Sequence, residues 1–198
     1  VTKSLTFTTA TALAACVVAN AALLVAQVRQ YGTEYGTEAA NRASMWTGNL
    51  TGIRSGLLVL TAWVFLLWLR RARTVAEALS PEGHRHRFGW VVGAWLIPVV
   101  QYFLPKRIIN DVWAASCPAD RVRRTSVLLT SWWLFLVVAV TYTGWGWNHS
   151  RNARGAAETR AALQDAMIGA GLYLVTGVLA VAVVLELSRM QRDRLAEL

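Results

Sequence analysis

Residues 5–28, LTFTTATALAACVVANAALLVAQV, run for 24 positions without a charged side chain. Lipid offers the backbone no water, so such a stretch crosses a membrane only with its amide hydrogen bonds closed within a helix, or within a barrel of much shorter strands. At about 1.5 Å per residue the run reaches about 36 Å as a helix, more than a hydrocarbon core of about 30 Å. Three further runs, 53–69, 127–147 and 166–185, are also predominantly apolar; 53–69 carries Arg54 at its start and is closed by Arg70, Arg71 and Arg73. A mean hydropathy of +0.38, with 55% hydrophobic and 16% charged residues, fits membrane composition better than that of a water-soluble domain. The sequence predicts an all-α membrane protein, a bundle of four transmembrane helices in a single membrane domain over 1–198. It leaves no stretch for a separate soluble catalytic domain.

The first run has Lys3 ahead of it and Ala19-Asn20-Ala21 inside it, which imitates the end of a cleaved signal peptide. Apolar residues continue through Leu23, Leu24 and Val25, past the usual signal-peptide core of about 7–15 residues. An uncleaved signal-anchor is expected.

A fifth apolar segment, 88–104, is harder to place. Its 17 residues would span only about 26 Å, Pro98 removes a backbone donor near its middle, and Pro105 ends it. The cations discriminate, because Lys and Arg in short loops gather on the cytoplasmic side. With five crossings the two faces would carry 9 and 11 cations, which gives almost no preference. If 88–104 enters and returns, the face holding both termini collects 14 and the other 6. The expected architecture is therefore four transmembrane helices plus a Pro-broken re-entrant or interfacial segment, with five transmembrane helices as the alternative. The same rule sets both termini in the cytoplasm of a multi-pass cell-membrane protein.

After Pro105, Ile108, Ile109, Val112 and Trp113 share one helical face, while Arg107, Asn110, Asp111 and Ala114 share the other. Segment 106–116 thus reads as an amphipathic helix, lying in the interface or packed on protein, with Lys106 at the boundary of its faces. Trp95, Pro98, Gln101, Pro105, Asp111 and Trp113 are the candidate motif, and the broken backbone among them requires burial in protein or a wet cavity. Lys106, Arg107, Arg121, Arg123 and Arg124 are the candidate contacts to anionic headgroups.

Gly93, Trp95, Pro98, Gln101 and Pro105, followed by Asp111, Trp113 and Ser116, form a G-x-W-x-x-P-x-x-Q-x-x-x-P pattern and then D-x-W-x-x-S. This resembles the signature of domain-of-unknown-function family 4328, small multi-span membrane proteins common in actinobacteria. The resemblance implies the order of spans and implies no activity. It also sets Asn between the two prolines, where this chain has Gln101.

Little else suggests chemistry. His84 and His86 form an H-R-H between arginines whose charge disfavours a metal, and His149 stands alone in a loop. No phosphate-binding loop, HExxH helix or GxSxG elbow occurs, and no carboxylate lies deep in a span. Asn20, Gln27, Arg54 and Gln101 are the polar groups near membrane depth, and interhelical hydrogen bonds account for them. Gly169, Gly171 and Gly177 permit close helix approach in the last span. The tandem YGTEYGTE at 31–38 reads as part of a polar surface loop over 29–54. Cys16 and Cys117 belong at different depths, both reduced.

No catalytic residue, metal or cofactor is expected. The favoured function is a non-enzymatic interaction or lipid-associated component. A small oligomeric transporter or channel subunit is the alternative, and a membrane enzyme acting on lipid ranks below both. The expected partner is membrane lipid, with a protein partner or a second copy also open. The Arg-rich loops flank apolar spans, so topology explains them without nucleic acid.

Overall fold

A computed structural model describes residues 3–80, 89–117 and 126–197. Its elements are α1 (Lys3–Tyr31), α2 (Glu38–Leu79), the short α3 (Trp90–Gly93), a 3-10 turn over Val100–Tyr102, α4 (Leu104–Ser116), α5 (Val127–Asn152) and α6 (Ala156–Ala196). Among the described residues α1, α2, α5 and α6 are long and apolar enough to cross a membrane. The protein is an all-α, multi-pass membrane protein.

The long helices overrun the expected spans. Residues 38–52, expected in a loop, belong to α2, and α6 begins at Ala156 rather than 166. The local sequence explains the first case. Gly36 takes φ 82, Thr37 caps the helix by accepting the Ala40 N–H on Oγ1 at 3.2 Å, and Glu38 faces the positive helix end. No proline follows to stop the helix before Leu79.

The packing divides into two units. The first comprises Val1–Ala12, Leu60–Trp133 and Leu179–Leu198. Trp68 is its fully buried centre, with Phe65 at 5.5 Å and Trp132, Trp133 and Trp95 continuing the aromatic cluster. Trp132 and Trp133 belong to this core and not to an interfacial belt, whereas Trp145 and Trp147 are exposed as a belt requires. Trp68 Nε1 donates to Ser188 Oγ at 3.1 Å, and Thr6 Oγ1 donates to the same oxygen at 3.0 Å.

The second unit comprises Leu13–Val59 and Leu134–Val178. In it a Cβ on Gly169 would lie 2.7 Å from Thr143 Cγ2, and one on Gly177 would lie 2.6 Å from Val17 Cγ2. These two glycines let α6 approach α5 and α1, while Gly171, expected to act likewise, faces open space.

These contacts exclude a fifth crossing. With five spans the start of α1 and the end of α6 would lie on opposite faces, yet Thr6 and Ser188 are hydrogen-bonded. Likewise the end of α1 and the start of α6 meet where Gln164 Nε2 donates to the Tyr31 hydroxyl at 2.9 Å. The start of α1 and the end of α6 therefore lie together, as four crossings require and five do not.

Segment 89–103 is broken, as Pro98 within it requires. Pro98 O accepts the Val100 N–H at 2.9 Å across Val99, whose φ of 71 and ψ of −52 describe a γ-turn of the strained hand. A β-branched side chain rarely occupies that region, and such strain costs about 1–3 kcal/mol. Val99 is exposed, so Val99→Gly forfeits little packing. We expect this replacement to stabilise the protein by about 1 kcal/mol in thermal unfolding after glycine's own entropy cost. A loss of stability would show that the turn is not strained.

Candidate functional site

The motif residues gather in the first unit, around the break and α4. Pro105 sits in the first turn of α4, where a missing N–H costs nothing. Ile108, Ile109, Val112 and Trp113 are buried, and Arg107 is exposed, as the amphipathic pattern anticipated. The apolar face of α4 packs on protein, which settles the choice left open by the sequence. The motif's last residue, Ser116, donates its hydroxyl to Val112 O at 2.7 Å and accepts Gln191 Nε2 at 3.0 Å. Gln191 also donates to Ala72 O at 2.9 Å, so one fully buried amide joins α2, α4 and α6. Arg73, next to Ala72 in sequence, is buried and ion-pairs Glu77 at 2.9 Å along α2.

Trp95 stands edge-on to Trp133 at 5.8 Å and to Phe65 at 6.1 Å, and Trp133 Nε1 donates to Tyr102 O at 3.3 Å. These contacts hold both sides of the break. The Trp95 Nε1 is buried with no hydrogen-bond acceptor among the described residues. Beyond Trp95 the chain turns outward, leaving Leu96 75%, Val99 69% and Phe103 64% exposed. Pro98 lies exposed between them, and Gln101 and Asp111 are half-buried. Lys106, half-buried, and Arg107 follow within the first turn of α4. Burial lowers the Lys106 ammonium below its ordinary pKa.

Several sequence candidates lie outside the described residues, namely Arg121, Arg123, Arg124, His84, His86 and the side chain of His149. Cys16 and Cys117 are both buried, and no disulfide joins them. Among the described residues no three His, Cys, Asp or Glu side chains cluster as a metal site. The family model described as "Domain of unknown function (DUF4328)" matches residues 31–189. The chain belongs to that family. The DUF4328 match covers α2, the break, α4, α5 and most of α6. No curated protein and no solved structure matches the chain.

Sequence reasoning missed Ser188 and Gln191, which lie past the apparent end of the last span. Their signal was periodic: Ala180, Val183, Val184, Leu187, Ser188 and Gln191 form one continuous helical face, and all are buried. The tandem YGTEYGTE is also more than a loop. Tyr31, Thr33, Glu34 and Tyr35 line a cavity of about 570 Å³ in the second unit, with Arg160 and Leu163 opposite. The Arg160 guanidinium sits 4.7 Å above the Tyr31 ring, closing one wall.

Proposed function

We propose that this protein is a non-enzymatic, lipid-associated component of the cell membrane, with both termini in the cytoplasm. In this reading the Pro98 segment is set into the cytoplasmic leaflet. One observation carries it: a broken, protein-anchored segment presents Leu96, Val99 and Phe103 outward immediately before Lys106 and Arg107. Apolar side chains facing outward suit acyl chains, and the adjacent cations suit anionic headgroups, each cation contributing about 1 kcal/mol near the surface. The cation excess of this end orients it inward.

The test uses full-length protein extracted from vesicles of mixed phosphatidylglycerol and phosphatidylcholine, with retained lipid counted by native mass spectrometry. Replacing Lys106 and Arg107 together by Gln should lower the preference for phosphatidylglycerol by about tenfold or more, at about 1 kcal/mol per cation. Thermal stability in neutral detergent should hardly change. Raising the pH should weaken the Lys106 share before that of Arg107, because the lysine releases its proton sooner than an ordinary one. An unaltered lipid ratio in the double variant counts against the reading.

A further inference from the structure

The second unit contains a cation, Arg54, that no carboxylate among the described residues neutralises. Asn20 lies eight residues inside the end of the apolar run 5–28, about 12 Å along a helix. Its Nδ2 donates to Cys16 O at 3.0 Å, and its Oδ1 accepts Arg54 Nη1 at 3.4 Å. The Arg54 guanidinium is therefore drawn to the level of Asn20, below the membrane surface. On its other side Arg54 Cζ stands 4.9 Å from the Tyr173 ring centroid, and the Tyr173 hydroxyl is 3.5 Å from Thr143 Oγ1.

Tyr173 lies one turn from each of Gly169 and Gly177, whose close contacts hold α6 against α5 and α1. The ring is thus fixed under the guanidinium. Arg54 is half-buried as a residue, but its Nε is buried with no hydrogen-bond partner among the described residues. Among the described residues no carboxylate comes within ion-pairing distance of Arg54, and Asp165 of the same unit already accepts the Tyr142 hydroxyl at 3.0 Å.

A guanidinium does not shed its proton in proteins, so burial cannot be relieved by neutralisation. Charged side chains at membrane depth are expensive and pair with a counter-charge. One long amide bond and a ring face supply only part of that pairing. The guanidinium fork matches the oxygens of a phosphate group. We propose that Arg54, with Asn20 and Tyr173, forms a phosphate-binding site at membrane depth, filled by a lipid headgroup phosphate or by free inorganic phosphate. The site lies in the second unit and does not depend on the lipid reading of Lys106 and Arg107.

Two measurements on the full chain test it. Inorganic phosphate is titrated at constant ionic strength against thermal unfolding in neutral detergent, and phosphatidylglycerol retained after extraction from vesicles is counted by native mass spectrometry. Wild-type protein should respond in at least one, and Arg54→Gln should weaken that response by about tenfold or more, with Arg54→Lys intermediate. Asn20→Asp provides a second variant that leaves the arginine in place. It sets a carboxylate where Oδ1 now meets Arg54, so it should abolish the response by supplying an internal counter-ion. A response to phosphate alone assigns the free anion, and retention of phosphatidylglycerol alone assigns the headgroup. Wild-type silence in both measurements, or an unchanged response in Arg54→Gln and Asn20→Asp, overturns the proposal.

Discussion

Trp68→Ala should be the most damaging truncation in the chain, lowering stability by about 3–5 kcal/mol. The indole is fully buried, stacks against Phe65 at 5.5 Å and donates to Ser188 Oγ at 3.1 Å. In lipid the hydrophobic effect contributes little between helices, so the loss comes from dispersion contacts and the cavity left behind. The surrounding aromatic cluster is shared by α2, α5 and the segment at Trp95, which limits how far any one neighbour can collapse into the gap. Thermal unfolding in mild detergent measures the effect, and Trp68→Phe should fall between the two. A loss below about 1 kcal/mol would mean the site collapses freely and is not the knot of the first unit.

Gly177→Leu is expected to cost about 1–3 kcal/mol or more, because overpacking forces either helix to shift. A Cβ there would come within 2.6 Å of Val17 Cγ2, and valine in a helix has one favoured rotamer and cannot step aside. Gly171→Leu is the matched control, since nothing lies within 4 Å of its Cβ position. The two substitutions are alike in chemistry and in helix propensity. Equal unfolding temperatures for both variants would disprove the close approach of α6 to α1.

The apolar runs announced α1, α2, α5 and α6, and the prolines announced the break, because lipid leaves the backbone few options. Helix ends were less legible. Residues 38–52 carry no apolar signal strong enough to mark a span, yet Thr37 caps a helix there that nothing interrupts. The buried pair Ser188 and Gln191 was hidden for a different reason: polar residues past a span normally mark water, and here they meet Thr6, Trp68, Ala72 and Ser116. Asn20 and Arg54 each stood out as polar groups at depth. Their meeting could not be read, since no local pattern sets the register of α1 against α2.

At 42 residues α2 has a contour of about 63 Å, roughly twice the thickness of a hydrocarbon core. About half of it must therefore stand in water or headgroups, with 38–52 the longer of two stalks continuous with the 53–69 crossing. Such a stalk is phase-sensitive. Deleting one residue between 38 and 52 swings everything on the far side by about 100°, whereas deleting seven restores the facing to within about 20°. The turn at Tyr35, Gly36 and Thr37 thus has its bearing around the helix axis set by the number of residues in a stretch whose side chains are mostly exposed.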